Sequence, residues 1–187
     1  MLEIGVEEMP ARWLEGVATQ LSSRFYDAAV REHLMPPAIA TAAKEGSVFW
    51  TPRRFVLRAE VSGRQADREE PVWGPSLKVA KDAAGEWTTA ARGFAKKNGV
   101  AVEDLQQGAK ESSAPTEVYL LFVKRVAGRA AAEVLAGVVS VVLRSLTFPK
   151  RMSWDAWLED GKGVFPFGRP IRWLVALLDG QVVPLAI

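Results

Sequence analysis

The chain has 187 residues, about half of them hydrophobic, which is enough for one large domain or two small ones with a buried core. It contains no cysteine, which excludes disulfides, thiolate metal ligands and thiol catalysis and is consistent with a reducing compartment. A net charge of only +2 is not that of a strongly basic nucleic-acid-binding protein, although residues 37–100 and 144–187 each carry a positive excess.

The sequence predicts neither a signal peptide nor a membrane span. The first eight residues include three glutamates, whereas a signal peptide begins with a basic segment. The longest apolar run, Val134–Leu143, is far shorter than the roughly 20 residues that cross a bilayer. Because the chain enters a strand at once and stops within an apolar one, we expect it to be a piece of a longer protein.

A buried strand and a long helix open the chain. Leu2–Val6 is a short apolar run typical of a buried strand. Pro10 follows, a residue favoured in the first turn of a helix, and apolar side chains then recur every four residues from Trp13 to Phe25. This spacing predicts one apolar stripe on a helix that ends near Leu34.

Short strands and rigid loops are predicted next. Ile39–Ala43 is a candidate strand that would pair with Ser47–Trp50 across a turn. Phe55–Val61 alternates between two faces and predicts a half-exposed strand. The charged residues 64–70 then form a loop, and the prolines within 71–75 predict a rigid connector.

The middle of the chain predicts three helical segments and a strand. Short helical turns are expected over 78–82 and 102–105, with a longer helix over 90–98. Asn98-Gly99 closes that helix, because these residues adopt the left-handed conformation readily. Val118–Val123 is a β-branched, aromatic run that predicts a strand.

A long helix and a hairpin follow. Arg129–Leu146 is rich in valine, so a strand is a possible alternative, but its length favours a helix. Ile171–Leu178 and Gln181–Ile187 are predicted to form a β-hairpin around the two-residue turn Asp179-Gly180.

Helices and strands are mixed along the chain without strict alternation. This order predicts an α+β fold with mixed, largely antiparallel sheets packed with several helices. Two subdomains, 1–70 and 71–187, are a possible division of the chain.

Three segments place cations beside a proline and an aromatic ring: Thr51–Leu57, Phe148–Trp154 and Arg169–Leu178. Proline fixes the backbone where a strand begins, and the planar guanidinium of arginine binds phosphate or carboxylate and stacks on rings. The candidate contact residues are Arg53, Arg54, Lys150, Arg151, Arg169 and Arg172. The sequence leaves two interpretations open: one phosphate-binding surface, or cations that serve structural bonds.

Two acidic groups are weaker candidates. They comprise Glu3, Glu7 and Glu8 near the first strand–helix junction, and Asp155, Glu159 and Asp160. The first group would supply an acid–base pair only if burial separated its pKa values, and a place near the positive end of a helix is the favoured interpretation. The second group has no histidine beside it, which argues against a metal site.

Neither the single histidine nor the glycine and serine patterns predict catalysis. His33 lies near a predicted helix end, where a surface or capping role is expected. Glycine-rich phosphate loops and a serine nucleophile elbow are absent from the sequence. Most of the tryptophans are expected in the core, while Trp50, Trp73 and Trp154 are the best candidates for exposed rings that stack on bases. We therefore predict no catalytic, cofactor-binding or metal-ligating residue in this chain.

Five blocks of the sequence, in order and with approximately matching spacing, resemble the bacterial glycyl-tRNA synthetase β subunit. The first resembles that family's opening pattern, leucine-glutamate-isoleucine-glycine-x-glutamate-glutamate-x-proline, and the second matches its Thr-Pro-Arg-Arg before a strand. The blocks are Leu2–Pro10, Thr51–Arg54, a set within Gly74–Val100, Phe148–Trp154 and Arg169–Leu178. The loop 106–116 matches nothing in this pattern.

The resemblance implies that the chain is the N-terminal part of a long β subunit in a cytoplasmic α2β2 enzyme that attaches glycine to tRNA(Gly). The α subunit of that family carries the class II catalytic site, so ATP and Mg are expected there and no cofactor is expected here. The expected partners are the α subunit, tRNA(Gly) and the remainder of the β subunit, without a membrane.

Under this resemblance the six cations are tRNA or subunit contacts, and the role of the chain is to position tRNA and support assembly. One alternative is a pure protein–protein assembly module that does not touch RNA. Another is an independent enzyme that acts on a small molecule through the glutamate or aspartate groups.

Overall fold

The computed structural model describes residues 1–43, 47–110, 117–158 and 160–185. The chain forms two compact units: the first combines Met1–Ala66 with Gly128–Ile187, and the second is Asp67–Ala127. The sequence-based division at residue 70 lies close to the point where the chain leaves the first unit. The sequence-based division did not include the return of the chain to the first unit at Gly128.

The elements follow the chain in a mixed order. The strands are β1 (Leu2–Val6), β2 (Val48–Thr51), β3 (Arg54–Leu57), β4 (Arg68–Ser76), β5 (Gln106–Ala109), β6 (Val118–Val126), β7 (Met152–Trp157), β8 (Val164–Phe167), β9 (Ile171–Leu178) and β10 (Gln181–Val182). The helices are α1 (Ala11–Arg31), α2 (Pro37–Ala43), α3 (Leu77–Ala80), α4 (Thr89–Lys97) and α5 (Ala131–Ser145), with a 3₁₀ turn at Val102–Asp104.

The first unit is built on a sheet in the order β10-β9-β1-β3-β2, in which neighbouring strands are antiparallel. The predicted strand Leu2–Val6 is its centre. Because side chains alternate across a strand, Leu2 and Ile4 of β1 enter the core, whereas Glu3 and Gly5 lie on the opposite face. Because β1 pairs with β3 on one side and with β9 on the other, Glu3 and Gly5 have neighbours from both of these strands on the face opposite the core.

Two helices bury the core side of this sheet. The predicted stripe of α1 is buried from Trp13 to Phe25, and α1 packs against α5. The valine-rich segment forms the helix α5, in which residues at helical spacing from Val134 to Val142 are buried. The helix that the length of this segment predicted is confirmed. Its apolar face is wide enough to pack against both α1 and the sheet, and this burial outweighs the weak preference of valine for strands.

The second unit pairs β4, β6 and β5 into an antiparallel sheet that packs against α3 and α4. Its core contains Ala91 and Ala95 of α4 and Leu120 of β6. Gly74 is required on β4 because the ring of Phe94 lies over it, and a Cβ there would come within 2.7 Å of that ring. The predicted helix over 90–98 is confirmed, and Gly99 ends it with a φ of 71°.

Two of the predictions for residues 39–50 are wrong. Ile39–Ala43 lies in the helix α2, which Pro37 begins and alanine continues, both favourable at those helical positions. Strand β2 consequently pairs with β3 through the two-residue turn Pro52-Arg53 instead of with residues 39–43. The half-exposed strand predicted over Phe55–Val61 is shorter than expected and ends at Leu57.

The rigid connector predicted at 71–75 is also wrong, because those residues lie within β4. Pro71 opposes Val123 on the edge strand of its sheet, where a residue without an N–H is tolerated. The sequence missed β5 and the hairpin of β7 and β8, which are short or contain proline and glycine. The hairpin of β9 and β10 around Asp179-Gly180 is confirmed, but β10 ends at Val182 and is shorter than the predicted strand Gln181–Ile187, of which residues 186–187 lie outside the described residues.

Helices and antiparallel sheets in comparable amounts confirm the predicted α+β class. None of the helices in the described ranges combines the length and the apolar character that crossing a bilayer requires.

Candidate functional site

Four of the six candidate cations meet at one end of the central strand. The members of this arginine cluster are Arg53, Arg54, Arg169 and Arg172. Backbone hydrogen bonds close the surrounding loops: the N–H of Val6 donates to the carbonyl of Arg53, that of Met9 to Pro52, and that of Glu7 to Pro170, at 2.8 to 3.0 Å. The turn between β2 and β3 and the start of β9 are thereby fixed against the same segment, residues 6–9.

Each arginine of the cluster reaches an oxygen of residues 3–8. The guanidinium of Arg54 lies 3.3 Å from the carboxylate of Glu3, that of Arg172 lies 3.2 Å from Glu7, and that of Arg53 lies 3.3 Å from Glu8. Arg169 donates to the backbone carbonyl of Glu8 at 3.1 Å. With four arginines and three glutamates, this group of side chains carries one positive charge in excess.

Two of the three ion pairs of the cluster are open to solvent, whereas Glu3, the partner of Arg54, is only 21% exposed. The side chains of Arg53 and Glu8 are 67% and 70% exposed, and those of Arg172 and Glu7 are 62% and 46% exposed. Pairs in such surroundings contribute about 0–1 kcal/mol to stability, because water competes for both charges. Another anion can therefore replace Glu7 and Glu8 at little cost to the fold.

A β-bulge turns Arg172 toward this cluster. In the pairing of β1 with β9, Gly5 opposes Trp173 whereas the next residue, Val6, opposes Ile171. Arg172 is the extra residue, and a bulge of this kind redirects the side chain that it carries.

Trp173 lies on the outer face of the sheet at the margin of the cluster. Its ring covers Gly5 so closely that a Cβ there would fall 2.0 Å from the ring. Its indole N–H donates to the carboxylate of Glu3 at 2.8 Å, and the guanidinium carbon of Arg54 lies 5.6 Å from the ring centroid. The ring is nevertheless 38% exposed. Sequence reasoning did not select it, although its position next to the core-facing Leu174, on the other face of a strand, was a usable signal.

Lys150 and Arg151, the other two candidates, are exposed in the connection between α5 and β7. The contacts that join the arginine cluster do not include them. The ring of Phe148 packs on Gly168, where a Cβ would lie 2.4 Å from the ring, and 4.6 Å from the centroid of Phe167. These contacts hold the chain that carries Lys150 near the residue that precedes Arg169.

The glutamates near the first strand–helix junction have arginine partners, which the sequence did not predict. Helix α1 has no acidic residue in its first turn. An apolar cavity of about 40 Å³ in the same unit is lined by Leu2, Phe25 and other apolar residues and by none of these carboxylates. Neither observation supports an enzyme that uses Glu7 and Glu8 as acid and base.

In the second acidic group, Asp160 has a structural partner. Arg144 of α5 donates to both of its carboxylate oxygens and, at 2.7 Å, to the carbonyl of Gly163. These hydrogen bonds lower the pKa of Asp160 to about 2 and raise the pKa of Arg144. The side chains of Asp155 and Glu159 lie outside the described residues. The described residues contain no group of three or more histidine, aspartate or glutamate side chains that could hold a metal ion.

The three tryptophans selected from the sequence differ in exposure. Trp50 is 45% exposed at the edge strand β2, whereas Trp73 and Trp154 are half-buried. The indole N–H of Trp154 is satisfied by the carbonyl of Phe167 at 3.2 Å, so that ring has a structural role.

Comparisons with known proteins agree with the arrangement of the sequence blocks. The family model described as glycyl-tRNA synthetase beta subunit matches residues 1–187. The chain is 37% identical over 191 residues to the glycine–tRNA ligase beta subunit of Oleidesulfovibrio alaskensis and 40% identical over 188 residues to that of Limosilactobacillus reuteri. Both matches cover 100% of this chain and 25% of the relative, so the chain spans about a quarter of the length of these relatives. This protein therefore belongs to the glycyl-tRNA synthetase beta subunit family.

Proposed function

We propose that this chain, as the N-terminal part of a glycyl-tRNA synthetase β subunit, binds and positions tRNA(Gly) for the ATP-dependent attachment of glycine. The observation that supports this role is the arginine cluster, in which arginines from two distant parts of the sequence gather around residues 3–8. Four guanidinium groups at one place offer paired N–H donors to the phosphates of an RNA backbone.

The glutamates of the cluster are compatible with this role. Glu7 and Glu8 each hold an arginine side chain in place through a solvent-exposed pair, so the guanidinium is ordered before RNA arrives. A phosphate then replaces the carboxylate, since an exposed ion pair contributes only about 0–1 kcal/mol. Glu8 leaves when phosphate binds Arg53, and Glu7 leaves when phosphate binds Arg172.

The chemical contribution of such a surface is positional. Attachment of glycine to the 3′ end of tRNA requires that end to reach a catalytic site, which we assign to the α subunit together with ATP and Mg. Holding the body of the tRNA converts an encounter between two molecules into a reaction within one complex, which lowers the entropic part of the barrier.

The test is a salt titration of tRNA(Gly) binding by the full-length β subunit assembled with its α subunit. Arg53→Ala and Arg172→Ala should each reduce the slope of log affinity against log salt concentration by roughly one unit, because each phosphate contact releases counterions. Arg125→Ala is the matched control, since Arg125 forms a similarly exposed pair with Glu69 in the second unit. An unchanged slope in both cluster variants contradicts direct phosphate contact.

A second candidate function is assembly with another protein, without RNA contact. Apolar side chains on β2, β9 and β10 of the first unit are exposed: Phe49 by 56%, Val175 by 38% and Val182 by 74%. Exposed apolar area of this kind is typical of surfaces that other proteins cover. Size-exclusion chromatography of the β variant Val175→Asp with purified α subunit, with and without tRNA, separates the two functions. Loss of the complex without RNA favours assembly, and loss of tRNA binding alone favours the RNA role.

A further inference from the structure

Trp173 combines exposure with a fixed orientation. Its ring is 38% exposed, yet the backbone of Gly5 supports one side and the hydrogen bond to Glu3 fixes the indole nitrogen. A ring held in this way loses little conformational entropy when a flat ligand packs against it. An exposed aromatic side chain without such supports would rotate between conformers.

The charges around the ring select the class of ligand. The guanidinium of Arg54 lies 5.6 Å from the ring centroid, and the remaining arginines of the cluster contact Glu7 and Glu8, which follow β1. Glu3, the carboxylate beside the ring, already accepts hydrogen bonds from Trp173 and an ion pair from Arg54. A flat ring that carries a negative group therefore fits this place, and a nucleotide has both parts.

We propose that Trp173 is a stacking site for the base of one unpaired nucleotide of tRNA, with Arg54 contacting the phosphate next to that base. This inference rests on the proposed function, because it takes tRNA as the ligand. The ring lies on an exposed strand face, so it suits a base whose own face is accessible, as in a loop or at an end. A base within an RNA helix is covered by its neighbours and does not fit.

Stacking and phosphate contact have different signatures in solution. Stacking on an aromatic ring contributes about 1–3 kcal/mol per base, equivalent to a loss of roughly 5- to 150-fold in affinity when the ring is removed. It releases no counterions, so its loss lowers affinity without changing the salt slope. Loss of a phosphate contact lowers both.

The experiment measures binding of a tRNA(Gly) transcript to the full-length α and β subunits across a salt series. Trp173→Ala should weaken binding by about 5- to 150-fold with an unchanged salt slope, and Trp173→Phe, which keeps an aromatic face, should lose much less. Val141→Ala is the control, because Val141 is similarly exposed, by 42%, but lies on helix α5 and outside β1 and β9. It should bind within about twofold of the wild type.

Trp173→Leu keeps the proposal falsifiable if removal of the whole ring disturbs the fold, because leucine still covers Gly5 but has no aromatic face. It should bind as weakly as Trp173→Ala while its thermal unfolding midpoint stays near that of Trp173→Phe. Wild-type affinity in Trp173→Leu overturns the stacking site.

Two further outcomes distinguish this inference from the proposed function. If Trp173→Ala binds tRNA like Val141→Ala while Arg53→Ala still reduces the salt slope, stacking is overturned and the arginine surface stands. If Trp173→Ala prevents association with the α subunit in the absence of RNA, the ring belongs to a protein interface and the stacking site is overturned.

Discussion

The first unit uses arginine–carboxylate pairs in two places and for two purposes. Arg144 and Asp160 form a clamp with side chains that are only 18% and 16% exposed, and the same guanidinium also binds the carbonyl of Gly163. Arg53 and Glu8, in the arginine cluster, are 67% and 70% exposed and share a single contact at 3.3 Å. The chemistry of the paired groups is the same in both places, while access to water differs.

This difference separates cations that hold the fold from cations that are available to a ligand. Removing one partner of a shielded, multiply bonded pair leaves a charge and a carbonyl without partners. Removing one partner of an exposed pair lets water take its place. The sequence around each arginine does not reveal this difference, because access to water depends on the fold.

The largest effect on stability is expected from Arg144→Ala. The substitution removes the guanidinium from both oxygens of Asp160, one of which keeps the N–H of Lys162, and from the carbonyl of Gly163, so the hydrogen bonds from Arg144 of α5 to the turn between β7 and β8 are lost. The thermal unfolding midpoint should fall by several degrees, while Arg53→Ala should leave it nearly unchanged. Equal midpoints for these two variants would remove the distinction between clamp and cluster.

The contact between Gly5 and Trp173 should give the next largest effect. A Cβ at Gly5 would meet the indole at 2.0 Å, so Gly5→Ala must displace the ring, at a cost of about 1–3 kcal/mol. In the background of Trp173→Ala that cost should largely disappear, and chemical denaturation of the four proteins in the cycle measures the coupling. Gly16→Ala is the control, because nothing lies within 4 Å of its added Cβ in helix α1 and alanine favours a helix there.

Elements with strong local signals were predictable from the sequence. The periodic stripe of α1, the strand β1, the glycine after α4 and the Asp-Gly turn before β10 all follow from the nearest few residues. The predictions at residues 39–43 and 71–75 were wrong because a helix start at Pro37 and an edge position for Pro71 depend on context. Proline is compatible with a helix start, an edge strand or a loop, and only the fold selects among them.

The site was only partly predictable for the same reason. Arg53 and Arg172 could be selected by residue type, but their carboxylate partners could not. The hydrogen bond between Trp173 and Glu3 joins residues that are 170 positions apart, and the bulge at Arg172 interrupts the regular alternation of β9. Contacts between such distant residues depend on how several strands align, which the local pattern does not specify.

Acidification should affect the clamp with a defined direction. Because Arg144 holds the pKa of Asp160 at about 2, below its ordinary value of 3.8, the folded chain binds that proton less readily than the unfolded chain. The stabilisation is present above pH 4 and is lost as the pH falls from about 4 to about 2. In Asp160→Asn this part of the pH dependence should disappear from the unfolding free energy. An acid limb of the same size in Asp160→Asn and wild type would show that other carboxylates cause it.

The smallest effects on stability are expected within the arginine cluster itself. Arg53→Ala and Arg172→Ala each remove one exposed ion pair, so the unfolding free energy should change by less than about 1 kcal/mol. A larger loss in either variant would mean that the cluster holds the loops together, and the structural interpretation of these cations would replace the ligand-binding one.

Glu8→Gln sharpens the test, since it keeps the shape of the side chain and removes the competing charge. If the glutamates only order the arginines and are displaced by RNA, Glu8→Gln should leave stability unchanged and strengthen tRNA binding, most clearly at low salt where charge is least screened.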